Sequence, residues 1–173
     1  MVTLRNTKGI SSVGEVTERL FAVEECVRVW RPETLKGHFY CSLLFTDNRI
    51  ILLDREKYNT KADMISAEAL GCILGHALSS VVLDVLMHDV PTVETGIEVQ
   101  SSELNRVIEH SDKSFSVLYS DVLKGILQKG GFFGELSLVL QTSKGGIIIK
   151  GLNVEGLASP LSSLMKGKLE VKI

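Results

Sequence analysis

The chain has 173 residues, of which 45% are apolar and 23% charged, and its formal net charge is −2. This composition is typical of a globular domain and excludes an intrinsically disordered chain, while the small net charge argues against a nucleic-acid partner. Residues 1–10 lack the apolar core of a signal peptide, so we expect a cytoplasmic protein that contacts membranes at most peripherally. The cysteines Cys26, Cys41 and Cys72 lack metal-ligand spacing, and we expect them to be reduced and buried.

Strands are the first elements that the sequence predicts. Phe21–Trp30 places valines among charged residues and is typical of a strand with one buried face. Phe39–Phe45 has apolar residues at every second position, and the apolar run Ile50–Leu53 indicates a buried strand. Between them, Asp47–Asn48 favours a tight turn, because both side chains can hydrogen-bond nearby backbone. We therefore predict a hairpin over Gly37–Asp54.

The next predicted element is a long helix over Ile65–His88, a stretch without proline. One face carries an apolar stripe edged by two glycines: Leu70, Gly71, Leu74, Gly75, Leu78, Val81, Val82 and Val85. Its apolar run is too short to span a membrane. Two interpretations stay open, since the stripe could cover the core of its own domain or pair with a second copy. We predict a homodimer formed through this stripe.

The same patterning rules predict further elements towards the end of the chain. In chain order they are a helix over Ser101–Ser111, strands over Ser114–Tyr119 and Asp121–Gln128, and a hairpin over Gly134–Gly151 that turns at Ser143–Gly146. Ser159 and Pro160 resemble the start of a helix, which would run to Met165. A final strand is predicted within Lys168–Ile173.

The sequence contains no recognisable catalytic or nucleotide-binding motif. The glycine-rich segments lack the spacing of nucleotide-binding loops, and no serine or cysteine stands in a nucleophile motif. Asp84 and His88 are four residues apart on the predicted helix, which suits two metal ligands, but a third ligand is not apparent. We expect no catalytic residue, no metal site and no cofactor.

Two short motifs carry a family resemblance. They are Gly37, Thr46, Asp47, Arg49, Ile50 and Ile51 in the first hairpin, and later Tyr119, Asp121 and Val122. At these positions the sequence resembles PH-like and GRAM-type domains, including some prokaryotic members. The resemblance covers Phe21–Met165 and implies an α+β fold, a PH-like antiparallel barrel or sandwich with a short C-terminal helix. We accordingly predict one PH-like domain over residues 1–173, with a helical insertion at about 62–112 that contains the long helix.

The resemblance also implies a function, because PH-like domains bind lipid headgroups, peptides or other proteins. We therefore expect a non-catalytic binding or scaffold domain. Arg28, Arg31 and Lys36 are the candidate residues for an anionic ligand or lipid, with Glu33 among them. We predict weak, salt-sensitive binding to anionic membrane surfaces and contacts with another protein. The alternative is a small-molecule-binding protein or an enzyme, with a pocket under the inserted helix.

Overall fold

The computed structural model describes residues 16–32, 38–54, 96–109, 112–130, 134–153 and 156–173. The strands within these ranges are β1 (Thr17–Trp30), β2 (His38–Thr46), β3 (Arg49–Asp54), β4 (Ile97–Gln100), β5 (Phe115–Leu118), β6 (Val122–Gly130), β7 (Glu135–Thr142), β8 (Gly145–Leu152) and β9 (Leu169–Lys172). The helices are α1 (Ser101–Glu109) and α2 (Ala158–Leu164), and a 3₁₀ turn over Tyr119–Asp121 joins β5 to β6.

The strands form one sheet in the order β5-β3-β2-β1-β8-β7-β6-β9, and β4 pairs with the first part of β1. All pairs are antiparallel except β6 with β9. The fold is α+β with a mainly antiparallel sheet. The closed barrel among our expectations is wrong, because the described sheet is open and ends at β5 and β9. Although β6 directly follows β5 in the chain, both edges of β6 are occupied by β7 and β9.

The predicted hairpin over Gly37–Asp54 is confirmed over its described residues. β2 pairs with β3 in the register that places Phe45 opposite Ile50 and Leu44 opposite Ile51, and residues 47 and 48 form the turn. The second hairpin is also confirmed, but its turn is tighter than predicted, since only residues 143 and 144 separate β7 from β8. Two-residue turns of this kind fix the register of the strands that they join.

Both hairpins use a threonine at the end of their first strand. The Thr46 hydroxyl accepts hydrogen bonds from the backbone N–H groups of Asn48 (3.2 Å) and Arg49 (3.0 Å). The Thr142 hydroxyl accepts one from the N–H of Lys144 at 3.1 Å and donates one to the carbonyl oxygen of Gly145 at 2.9 Å. The side chain therefore pairs backbone groups that the turn leaves without a strand partner.

β3 and the part of β2 from Cys41 onward are buried on both faces, because their alternate residues enter different apolar clusters. The first core cluster lies between the strands and α2 and includes Phe21, Val29, Cys41, Phe45, Ile50, Leu127, Leu140, Ile149, Leu161 and Met165. The second core cluster consists of Leu20, Val23, Leu44, Ile51, Leu53, Val99 and Leu104. Burial on both faces explains why β3 is apolar without interruption, as strands covered on one face alternate.

The two helices cover these clusters. α1 confirms the predicted helix over Ser101–Glu109 and buries Leu104 in the second core cluster, while the last two residues of the prediction lie outside the described ranges. α2 begins at Ala158 rather than after Ser159, and Leu157 occupies its N-cap position without a side-chain hydrogen bond. Pro160 then lies in the first turn, where a helix tolerates proline because the N–H groups there have no carbonyl partner.

The predicted long helix Ile65–His88 lies outside the described residues. The apolar stripe on that helix, its role in self-association and the helical insertion therefore stay predictions. The predicted final strand is confirmed as β9, which the sheet accommodates because Gly125 of β6 has no side chain. A Cβ atom on Gly125 would lie 2.9 Å from Cδ1 of Leu169 and 3.1 Å from the sulfur of Met165.

A buried ion pair ties β1 to β3 beside the first turn. Arg49 donates from Nε to Oε2 of Glu18 at 3.1 Å, and its Nη2 lies 2.7 Å from Oε1 of the same carboxylate. The two side chains are 10% and 3% exposed. The Thr46 hydroxyl adds a contact to Glu18 Oε2 at 2.8 Å, and Arg49 Nη1 reaches the Ser116 hydroxyl of β5 at 3.4 Å. Side chains from four strands therefore meet at this ion pair. Its two parallel contacts between guanidinium and carboxylate compensate for the energetic cost of removing both charges from water.

Tyr119 lies on the first-cluster side of the same turn. Its backbone N–H donates to the carbonyl oxygen of Asn48 at 3.2 Å. Its hydroxyl is buried and has no hydrogen-bond partner among the described residues. Burial, reinforced by the negative charges of Asp47 and Glu18, raises the pKa of Tyr119 far above the usual range for tyrosine.

The burial of the Glu18–Arg49 ion pair leads to a prediction about stability. We expect Glu18→Leu or Arg49→Met alone to lower the free energy of unfolding by about 3–5 kcal/mol, because each leaves one buried charge without its partner. The double variant Glu18→Leu/Arg49→Met should lose less than either single variant, and urea denaturation would measure all three. Glu98→Gln is the control, since the Arg19–Glu98 pair is 37% and 63% exposed and should contribute less than about 1 kcal/mol. Additive losses in the double variant would contradict this account.

The raised pKa of Tyr119 leads to a prediction about stability at alkaline pH. The folded state holds the phenol proton more tightly than the unfolded state, so this contribution to stability is present below the pKa of an unfolded tyrosine and is lost above it. Above about pH 10, Tyr119 should cost about 1.4 kcal/mol of stability per pH unit. The variant Tyr119→Phe should differ little from the wild type at pH 7 and lose less stability between pH 10 and 11 in urea titrations. Equal losses in both proteins would show that Tyr119 is not the group responsible.

Candidate functional site

A groove runs along the outer face of three adjacent strands. The pairing of β1 with β2 places Arg28 opposite Tyr40 and Trp30 opposite His38. The pairing of β1 with β8 places Arg28 opposite Lys150 and Trp30 opposite Ile148. Side chains two residues apart on a strand share a face, so all six point the same way. We call this site the β1 groove. It has a volume of about 340 Å³ and is lined by Arg28, Trp30, His38, Ile148 and Lys150. Tyr40 lies next to it on β2.

Aromatic side chains form one wall of the β1 groove. Trp30 is 43% exposed and Tyr40 is 36% exposed. The rings of His38 and Tyr40 contact each other edge to face, with centroids 5.7 Å apart and planes at 87°. Exposed tryptophan and tyrosine on a rigid sheet are the side chains that most often anchor protein partners, because they bury a large area at low entropic cost.

Basic side chains form the other part of the groove. Arg28 Nη2 lies 3.1 Å from Oε2 of Glu135 on β7, and both side chains are more than two-fifths exposed. A pair so exposed is weak, and the guanidinium has further N–H donors for a second carboxylate. Lys150 is exposed and makes no ion pair with any described residue. The groove therefore combines aromatic surface with an excess of positive charge.

The predicted anion-binding residues do not converge in the part of the chain that the structure describes. Arg28 lines the β1 groove, whereas Arg31 lines a separate cavity of about 60 Å³ with Lys144 and Asp121. The guanidinium carbon of Arg31 lies 4.6 Å from the centre of the Phe115 ring, which is a cation–π contact. Lys36 lies outside the described residues, and the three-residue anion site stays a prediction.

Sequence reasoning missed most of the β1 groove. Trp30, His38, Tyr40 and Lys150 were not among the candidates, although the exposed positions of β1 could have been read from its alternation. The missing information was the pairing partner of each strand, because β8 lies more than 100 residues from β1 along the chain.

Other kinds of site can be assessed for the described ranges alone. No group of three histidine, cysteine, aspartate or glutamate side chains there could hold a metal ion. None of the described helices has the length and apolar character needed to cross a membrane. Cys41 is reduced and buried in the first core cluster, as predicted for it.

Comparisons with known proteins add only distant similarity, and it is to solved structures. No protein-family model matches the chain, and no curated protein matches its sequence. Among solved structures, the chain is similar to one described as "Vps36 N-terminal PH domain". The identity is 11% and the TM-score 0.41, over 87% of this chain and 78% of that one. Nothing about a ligand or partner follows from a similarity this distant.

The charge of the β1 groove can be tested through Trp30, the single tryptophan of the sequence. Its emission should be quenched more strongly by iodide than by caesium, because Arg28 and Lys150 attract anions to the ring. Lys150→Glu should lower the iodide-to-caesium quenching ratio. Lys129→Glu on β6 makes the same change in net charge away from the groove and should leave the ratio close to that of the wild type. Equal effects of the two substitutions would show that net charge, rather than the groove, controls quenching.

Proposed function

We propose that this protein is a non-catalytic binding domain that holds an acidic segment of a partner protein in the β1 groove. The observation that carries the proposal is that Trp30 lies on the same face of the sheet as the neighbouring pair Arg28 and Lys150, on strands that are hydrogen-bonded to each other. Strands hold these side chains in fixed relative positions, so little conformational entropy is lost when a partner binds.

The composition of the groove favours an acidic peptide over other occupants. Carboxylates of the peptide would pair with Lys150 and with the remaining donors of Arg28, while an apolar side chain lies against Trp30. A volume of about 340 Å³ suits a few side chains of an extended segment. Glu135 at the edge of the groove would repel a densely charged ligand, which favours spaced carboxylates.

The other functions expected from the sequence have less support from the described residues than the β1 groove has. Weak binding to anionic membranes through Arg28, Arg31 and Lys36 would share Arg28 with the groove. A GRAM-type affiliation rests on the two short sequence motifs alone. A small-molecule or enzymatic pocket under the inserted helix falls outside the described residues.

Trp30 emission also supplies the binding experiment. A short peptide that alternates glutamate with leucine should change the emission and bind with micromolar to millimolar affinity, while the same peptide with glutamine for glutamate should bind at least about tenfold more weakly. Arg28→Glu and Lys150→Glu should each weaken binding of the acidic peptide by about tenfold or more, and high salt should weaken it further. Lys129→Glu should change the affinity by less than about twofold.

Anionic vesicles of phosphatidylserine and phosphatidylcholine provide the competing arm of the experiment. Binding to vesicles but to neither peptide would overturn the proposal in favour of a membrane surface. Equal affinity for the acidic and the glutamine peptide would also overturn it, because the basic side chains would then have no role. Trp30→Ala, measured by anisotropy of a labelled peptide, should abolish binding while the circular dichroism spectrum stays unchanged.

A further inference from the structure

The outer edge of β9 is unpaired among the described residues. β9 pairs only with β6, in parallel, and stands at one end of the strand order. Val171 is 41% exposed and Ile173 is 68% exposed. A free edge with exposed apolar side chains presents unpaired N–H and carbonyl groups to another strand.

The register of β9 determines which backbone groups face outward. The N–H of Gly125 donates to the carbonyl oxygen of Lys168 at 2.8 Å, and Gly125 is aligned with Leu169. In a parallel ladder of this register, the backbone groups of residues 168, 170 and 172 face β6. Those of Leu169, Val171 and Ile173 therefore face the open edge.

The side chains of β9 alternate between charged and apolar faces. Glu170 lies 3.1 Å from Lys172 Nζ and 3.7 Å from Lys124 Nζ of β6, so these charges share one face. Leu169 lies against the first core cluster, and Val171, two residues on, points to the same side. The contacts with Lys172 and Lys124 lower the pKa of Glu170, so its carboxylate is charged at neutral pH.

We infer that two copies of this chain associate through β9, as antiparallel strands related by a two-fold axis at Val171. In this register, Val171 faces Val171 of the second copy and Leu169 faces Ile173, which brings the outward backbone groups into hydrogen-bonded pairs. Glu170 of each copy then faces Lys172 of the other copy. This pair lies at the non-hydrogen-bonded positions, where opposing side chains are closest, and the two-fold axis repeats it.

Charge selects this register over its neighbours. A shift by two residues in one direction places Glu170 opposite Glu170, and the opposite shift places Lys172 opposite Lys172. Like charges directly opposite each other are unfavourable on a sheet, whereas the Val171-centred register pairs each charge with its opposite. The four-residue strand makes a small interface, so the dimer should form only at high concentration.

Sedimentation of the protein from about 10 µM to about 1 mM would test the dimer. The wild type should shift from monomer to dimer over this range. Glu170→Lys and Lys172→Glu should each weaken dimerisation by about tenfold or more, because each creates two like-charge contacts. The decisive sample is an equimolar mixture of the two single variants, in which every contact between copies is again between opposite charges. We expect the mixture to dimerise about as strongly as the wild type.

Three results would contradict the inferred β9 dimer. A wild-type monomer at 1 mM would refute the inference. Single variants that dimerise like the wild type would place the interface elsewhere, as would a mixture that stays monomeric. Thermal unfolding of both variants controls for damage to β9. Lys150→Glu in the β1 groove should leave dimerisation unchanged, which separates this inference from the proposed function.

Discussion

The buried ion pair between Glu18 and Arg49 is the strongest single constraint on how β1, β2 and β3 are arranged. A carboxylate and a guanidinium that are at least nine-tenths buried tolerate little displacement, because any misalignment leaves a charge without water and without its partner. The pair joins β1 to β3 over the end of β2, where Thr46 contributes a hydroxyl contact. It therefore constrains the register of these three strands where they meet beside the first turn.

The face that carries this pair also carries the β1 groove. Leu20 of β1 and Leu44 of β2 belong to the second core cluster, which α1 covers, and they lie on the ion-pair side of their strands. β1 has register shifts between Leu20 and Ala22 and between Glu24 and Val27. Two shifts together restore the alternation, so Arg28 and Trp30 return to the same face. The groove is the part of this face that stays accessible beyond the cluster.

Both inferred interaction surfaces lie on strands rather than on loops. The β1 groove uses side chains of β1, β2 and β8, and the β9 edge uses backbone as well as side chains. Each surface combines apolar area with charges of defined position, and this combination gives specificity as well as affinity. They lie at different places in the strand order, because β8, β7 and β6 separate β1 from β9. One partner could therefore bind the groove while a second copy pairs with the edge.

Local sequence patterns were sufficient to predict most of the individual strands and helices of this protein. The period of two in β2, the residues Asp47 and Asn48 and the uninterrupted apolar run of β3 specify a hairpin from neighbouring residues alone. α1 and the second hairpin follow from equally local patterns. The open sheet and the partners of Arg28 and Glu18 follow only from the tertiary structure. Each depends on contacts between distant segments: Glu18 meets Arg49 from 31 residues away, and Lys150 reaches the groove only because β8 pairs with β1. Local propensity carries no information about such pairings, which are selected by the packing of the whole sheet.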